Sequence, residues 1–402
     1  MELSDHLFRR EAGRMVATLT RILGPGHLGL AEDVVQDAFC RALEVWPFRG
    51  LPKNPSAWLM TTARNRALDV IRRHHTAQTY EPELKRSLDE NFESRPDDLL
   101  RMMFSCCQPP LSEAAQIALI LHILCGFSVD EVAGAFVQTH AAVEKRITRG
   151  KKALAACPAL FDVEHDFDSR LPAVQRALYL LFNEGYHGVS AVRSELCQEA
   201  MRLTAMLVEH RAGPTTYALA SLMCLSAARL PARLDETGQL EAFHDQARSR
   251  WDSQLIDEGL RLLELSGRGS QLSPWHLEAA IAAQHAVAPS VEKTDWPAIV
   301  SFYDALMDLA PSPVVALNRA IAVGQAEGPR LGMEALRGIS DRDRLRDYPF
   351  HEAAMGEFEL RLGDPDTAAH HFQAALKLAR NPSERTWFTQ RLAECDKAMG
   401  KA

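Results

Sequence analysis

The 402-residue chain contains no run of about 18 apolar residues, and no charged start followed by an apolar stretch. Membrane spanning and secretion are both unsupported, and the chain is expected in the cytosol. Its eight cysteines form no CxxC pair, so no metal site is expected on them. Only the vicinal Cys106 and Cys107 stand out. Such pairs can bind thiophilic ligands or sense oxidation, but no charged activator sits in the motif, and plain burial is the simpler reading. HExxH, GxSxG, Walker A and GxGxxG are all missing. With no catalytic constellation and no cofactor loop, neither an enzyme nor a cofactor is expected. Strand-like alternation is rare as well; nearly every segment carries helical periodicity, which predicts an all-α fold.

The formal charge of -8 is unevenly placed. Residues 1–160 hold 20 Lys+Arg against 19 Asp+Glu, and the remainder 25 against 34, so a near-neutral front precedes a back part of net -9. The length allows two or three domains. A first zone, residues 1–76, ends in a basic "RRHHT". Residues 77–98, "AQTYEPELKRSLDENFESRPDD", are polar, acidic and almost free of apolar periodicity, a linker composition. A second zone covers residues 99–160 and a third residues 165–402.

The second zone holds "FSVDEVAGAFVQTHAAVEKRITRGKKAL". Ser128 and Glu131 form a capping box, Val129, Val132, Ala133 and Phe136 give the first helix an apolar face, and Thr139 can cap the next. In that second helix Val143, Ile147, Gly150 and Leu154 share a packing face, while Ala141, Lys145, Thr148, Arg149 and Lys152 share another, small at its start and cationic toward its end. A groove-inserting helix needs that arrangement: close approach to base edges, then Lys and Arg to phosphates. A solvated helical pair with an ordinary charged face is the bland alternative.

In the first zone "AEDVVQDAFCRALEVW" places Asp33, Gln36 and Asp37 on a polar face against Val34, Val35, Ala38 and Leu43. "PSAWLMTTARNRALDVIRR" follows, with Trp58 ahead of Arg64, Asn65, Arg66, Arg72 and Arg73. A basic helix with an aromatic and an amide suits a partly unpaired strand, since stacking and phosphate contact need no duplex. Trp58 by itself reads as core rather than as a stacking platform.

In the third zone the stretches from Pro313 and Pro349 superpose at an offset of 36 residues, aligning Leu317 with Ala353, Ala320 with Gly356, and Leu336 with Phe372. These helical hairpins look like tetratricopeptide-type repeats; an irregular helical bundle is the alternative. "LFNEGYHG" gathers Asn183, Glu184, Tyr186 and His187 in an apolar neighbourhood. Glu and His could do acid-base work, but a structural polar network, together with the "SRWD" around Trp251, or a regulatory ligand or partner site reads better.

The two front motifs, in order and in register, resemble region 2 and region 4 of bacterial RNA polymerase sigma factors of the extracytoplasmic-function (ECF) group. "LYLLFNEGYHG", "DQARSRWD", "LEAAIAAQHA" and "APSPVVALNRAIAV" resemble the large tetratricopeptide-like C-terminal extension of one subgroup. The resemblance implies a promoter-specificity subunit, nucleoid-associated in the cytoplasm, whose partners are core RNA polymerase and promoter DNA. Asp33, Gln36 and Asp37 would dock on the polymerase clamp. Trp58, Arg64, Asn65, Arg66, Arg72 and Arg73, with the loop "WPFRGLPKN", would contact and melt the -10 element. Thr139, His140, Ala141, Glu144, Lys145, Thr148, Arg149 and Lys152 would meet the -35 element. Glu144 stands where many members carry a basic or hydroxyl residue; it can accept from a cytosine amino group, which bears on promoter preference.

A front part of net charge near +1 cannot rely on nonspecific phosphate attraction, and should bind promoters poorly without polymerase. The fused extension would take over regulation, through a small partner protein. It is either required for activity, the version the resemblance favours, or inhibitory, with its net -9 covering the basic helix. The competing reading is a helix-turn-helix operator-binding regulator with a helical sensor domain. It would need dimerisation and would leave "AEDVVQDAF" without a purpose.

Overall fold

The computed structural model describes residues 5–73, 95, 97–136, 138–157, 160–163, 165–187, 194–233, 241, 246–380 and 382–400, leaving out the side chains of 5–10, 73, 135, 136, 187 and 383. Among the described residues there are eighteen α-helices and no strand, the all-α fold expected. The chain divides into two compact units, Met1–Glu184 with Gln198–Met206, and Gly185–Cys197 with Leu207–Ala402.

The first unit opens with α1 (Asp5–Leu23), α2 (Leu28–Arg49) and α3 (Pro55–Arg73). Met15 and Leu19 of α1, Val34, Val35, Ala38, Ala42 and Trp46 of α2, and Leu59, Ala63 and Ala67 of α3 are buried. Gly50 stops α2: its φ of 80° lies in the left-handed region, and its N–H returns to the Trp46 carbonyl. Asn54 then starts α3, accepting the Ala57 N–H on Oδ1 at 3.0 Å, with Pro55 at the first helical position. One expectation fails here. Leu43, assigned to the apolar face of α2, is 60% exposed, and Ala42 occupies the inner position. At 100° per residue Leu43 falls about 180° from Val34, in line with Gln36.

Next come α4 (Asp98–Ser105) and α5 (Glu113–Leu119), the latter running into a π-helical turn (Ile120–Leu124). α6 (Val129–Phe136), α7 (His140–Ala155) and α8 (Phe167–His187) follow. α4 is held from both sides in sequence. Its Asp98, fully buried, accepts from Arg21 Nε at 2.6 Å, Thr18 Oγ1 at 3.1 Å and the Arg95 N–H at 3.1 Å. Phe104 stacks on Phe167 of α8 at 3.9 Å, and Arg170 donates to the Phe104 carbonyl. Cys106 and Cys107 are buried; burial pushes the Cys107 thiol up to about 12, so both are inert packing residues.

Helix α9 (Ser194–His210) contributes Gln198–Met206 to the first unit. The second unit contains α10 (Pro214–Ala227), α11 (Ser253–Ser266), α12 (Pro274–Val287), α13 (Trp296–Leu309), α14 (Pro313–Ala326), α15 (Pro329–Arg337), α16 (Pro349–Arg361), α17 (Pro365–Leu378) and α18 (Pro382–Ala398). Each from α10 to α18 packs on the next, as in a stack of helical hairpins. Ser312 and Asp364 cap α14 and α17, each followed by proline at the first helical position. The repeated positions coincide in burial: Leu317 and Ala353, Ala320 and Gly356, and Leu336 and Phe372 all lie in the core. Between α14, α15 and α16, Phe358 fills space that only glycine leaves. A Cβ on Gly324 would sit 2.2 Å from its ring, and one on Gly332 2.6 Å.

Candidate nucleic-acid and polymerase interfaces

The capping chemistry that places α6 and α7 is present as the sequence predicts. Ser128 N–H donates to Glu131 Oε2 at 2.8 Å, and the Glu131 N–H donates back to Ser128 Oγ at 3.2 Å. Thr139 Oγ1 accepts from the Ala142 N–H and starts α7. Val143, Ile147, Gly150 and Leu154 are buried, while Thr139, His140, Ala141, Glu144, Lys145, Thr148, Arg149 and Lys152 are all exposed. Gly150 lets α7 approach closely, since a Cβ there would lie 2.7 Å from a Leu119 methyl and would have to displace that buried side chain. The outer face therefore presents three small residues, one histidine, one carboxylate and three cations on a helix anchored by its opposite side. Lys145, Arg149 and Lys152 make no ion pair among the described residues.

At the turn between the two helices His140 Nδ1 lies 2.6 Å from Asp130 Oδ1, and that hydrogen bond raises the imidazole above its ordinary range. Arg146 donates to Gln138 Oε1 at 2.6 Å. Both contacts brace the α6–α7 turn and hold the start of the exposed face in one orientation.

On α2, Asp33, Gln36 and Asp37 are exposed and form one stripe with Cys40, Leu43 and Glu44. Leu43 gives this polar stripe an apolar centre that the sequence reading missed. Its signal was the helical wheel itself. Beyond it, Phe48 in the last turn of α2 is 89% exposed and Leu51, on the connection to α3, 49%; residues 46–49, read from the sequence as part of a loop, continue the helix up to Gly50. An exposed aromatic beside a basic helix is the kind of platform on which an unpaired base stacks.

α3 distributes its residues unequally. Trp58, which taken alone reads as core, is half-buried, its ring edge-on to the buried Trp46 at 5.3 Å. Arg64 is half-buried, Asn65 exposed, and Arg72 exposed and 3.8 Å from Asp69. The Arg73 side chain lies outside the described residues. Arg66 donates to Asp37 Oδ2 at 2.6 Å, joining two residues assigned to different partners. With side chains 40% and 50% exposed, this pair contributes about 0.2–1 kcal/mol to stability. It is weak enough to exchange for a phosphate or a polymerase cation.

The residues of "LFNEGYHG" divide between the two units. Asn183 and Glu184 are half-buried in the first unit; Tyr186 belongs to the second, with the Arg233 guanidinium 4.0 Å over its ring. The His187 side chain lies outside the described residues. Around "SRWD", Arg229 and Arg248 both face the Trp251 ring, at 5.4 and 4.8 Å, and Arg248 donates to the carbonyls of His285 and Ala288. Burial together with these two arginines pulls His285 down to about 4, so it is neutral. Among the described residues no group of three or more His, Cys, Asp or Glu is arranged for a metal ion, and no helix is long and apolar enough to cross a membrane.

Comparison with known proteins agrees with this geometry. Residues 7–76 match Sigma-70 region 2, and residues 170–267 match a family of unknown function (DUF6596). An uncharacterized protein of Rhizobium meliloti (strain 1021) is 38% identical over 382 residues, covering 91% of this chain and 90% of that one. The chain belongs to one family with that protein, and its front carries a Sigma-70 region 2, which supports sigma-factor-like RNA polymerase binding and promoter recognition.

Proposed function

We propose that the protein is a promoter-specificity subunit of the ECF group, with a tetratricopeptide-like extension that regulates it. The α2 stripe of Asp33, Gln36, Asp37 and Leu43 docks on core polymerase. The last turn of α2, holding Phe48, with Asn65, Arg66 and Arg72 on α3, takes the opened strand of the -10 element. α7 enters the major groove of the -35 element, with Ala141 and Glu144 toward base edges and Lys145, Arg149 and Lys152 toward phosphates.

The observation that carries this reading is the division of α7. Every residue assigned to DNA is exposed, and every residue assigned to packing is buried. The stacked hairpins of the second unit suit a regulatory role, since such stacks present a long surface to a protein partner. In this reading the second unit is required for activity.

The test is promoter binding by the holoenzyme reconstituted with a Lys145→Ala, Arg149→Ala protein. Losing two phosphate contacts should weaken binding across sequences and reduce the salt slope by about 2. Core polymerase affinity should be unchanged. Promoter affinity and salt slope equal to those of the parent protein would remove α7 from the interface.

A further inference from the structure

Four basic side chains from three separate stretches of the second unit gather around Trp251 and Tyr186. Arg229 and Arg233 flank a 3-10 turn (Leu230–Ala232) that follows α10, Arg248 opens another (Arg248–Arg250) just ahead of α11, and His285 lies in the last turn of α12. The guanidinium carbons of Arg229 and Arg248 lie 5.4 and 4.8 Å from the centre of the same Trp251 ring, and that of Arg233 lies 4.0 Å from the centre of the Tyr186 ring. Both rings are buried. The three arginines are half-buried and keep part of their surface open to solvent.

Neutral groups orient two of these guanidiniums. Arg229 donates from Nε and Nη2 to the buried Gln246 amide oxygen, each at 3.3 Å, and Arg248 donates from Nη1 to the carbonyls of His285 and Ala288. Such bonds fix direction and compensate no charge. The like charges act on one another as well. Arg233 and Arg248 add to burial in lowering Arg229, and Arg229 and Arg248 add to burial in holding His285 neutral, at about 4. Two carboxylates act at the edge of the group: Glu292, exposed, on Arg248, and Glu241, 3.9 Å from Arg250.

This is more positive charge than packing requires. One arginine per ring would secure the cation–π contacts, and a purely structural network does as well or better with a neutral side chain in place of a surplus charge. In the acidic back part of the chain, three partly desolvated guanidiniums suit an anion instead. A guanidinium laid against an aromatic ring still offers its planar N–H edge to an oxygen, and edges from three arginines exceed what one carboxylate can use. A phosphate monoester brings three terminal oxygens and a charge of about -1.5 to -2.

We propose that Arg229, Arg233 and Arg248, held by Trp251 and Tyr186, form a binding site for a phosphate monoester in the second unit. The bound ester joins the segment after α10, the segment before α11 and the end of α12. It gives the second unit an input of its own, which stands whether or not the protein is a sigma factor.

The test is isothermal titration of the full-length protein with inorganic phosphate at constant ionic strength, in a buffer free of other oxyanions. One saturable site per chain with a Kd of about 1 mM or below is expected, and acetate should not compete. Phenyl phosphate and a peptide carrying one phosphoserine then identify the source. Competition by phenyl phosphate alone assigns a small ester, competition by the peptide assigns one carried on a polypeptide, and competition by neither overturns the monoester. Arg233→Gln and Arg248→Gln should each weaken binding by about tenfold or more, while Arg250→Gln, in the same turn as Arg248 but exposed, should stay within about twofold of the parent. Hydrogen exchange on the parent protein keeps the test independent of how the variants fold: phosphate should slow exchange at residues 227–233, 246–252 and 283–288 and leave α16–α18 unchanged. No saturable binding by the parent at about 10 mM phosphate, parent-like binding by both arginine variants, or displacement by acetate as effective as by phosphate would each overturn the site.

Discussion

Adding one methyl group to a helical glycine should have opposite effects at two places in the first unit. At Gly13 the new Cβ would sit 2.0 Å from the Leu124 carbonyl oxygen, 2.8 Å from its carbon and 3.0 Å from its Cα. Ordinary carbon–oxygen contact begins at about 3.3 Å, so α1 and the π-helical turn would have to part by more than about 1 Å. The obstacle is backbone, and no side chain can rotate out of the way. Overpacking of this kind costs about 1–3 kcal/mol, while alanine's better helix propensity returns about 1 kcal/mol. Taking the upper end for a backbone clash, Gly13→Ala should destabilise the first unit by about 2 kcal/mol. Gly134, exposed in α6 with nothing within 4 Å of its Cβ position, has no such obstacle. Gly134→Ala should stabilise by about 0.5–1 kcal/mol. Hydrogen-exchange protection of α1 and α4–α6 in the full-length protein separates the first unit from the second. The Gly13 variant should lose protection at α1, α4 and the π-helical turn, and the Gly134 variant should gain it around α6. A Gly13 variant as protected as the parent would refute the close approach.

The remaining predictions concern titration and reactivity. Glu352 accepts from His371 Nδ1 at 2.8 Å and lies 3.5 Å from His351 Nδ1, and these two partners hold its carboxyl at about 2. A lowered folded-state value means that its contribution is present above the ordinary carboxylate range and is lost as pH falls toward about 2. Acid unfolding of the second unit should therefore begin at a higher pH in Glu352→Gln; an unchanged acid limb would contradict this. His140 is raised by Asp130, so this link between α6 and α7 is present below the ordinary histidine range and is lost as pH rises through the raised value. NMR titration should show His140 above an exposed reference histidine and Asp130→Asn restoring it to that range. Among the eight cysteines only Cys40 is exposed, and burial raises Cys107, Cys197 and Cys224 to about 12. A maleimide should label one thiol rapidly in the native protein, and Cys40→Ser should abolish that phase.

Features that depend on neighbours in sequence were legible from the sequence. The Ser128–Glu131 box, the Thr139 cap and the buried face of α7 follow from side chains three or four residues apart, and the structure has them all. The offset of 36 residues in the third zone marks positions that are buried in both copies, because each hairpin must bury the same inner face. Leu43 was misplaced although periodicity sufficed to place it: Ala42 is small, and the larger neighbour was taken for the core residue. What could not be read were pairings between distant segments. Asp98 meets Arg21 across 77 positions, Arg66 meets Asp37 across 29, and nothing local marks Lys151 for Glu32. Gly13 likewise carries no local signal, since only the approach of the Leu124 backbone gives it a reason. These tertiary contacts fix how the helices of the first unit pack on one another.

The most direct test of the account is equilibrium binding of the purified full-length protein to core RNA polymerase, compared with an Asp33→Ala, Gln36→Ala, Asp37→Ala variant whose helicity is checked by circular dichroism. All three side chains are exposed, so the variant should fold. Saturable binding that weakens by about tenfold or more in the variant, a loss of at least about 1.4 kcal/mol, is the predicted result. Equal affinity would remove the α2 stripe from the polymerase interface, and no saturable binding by the parent protein would contradict the assignment as a promoter-specificity subunit.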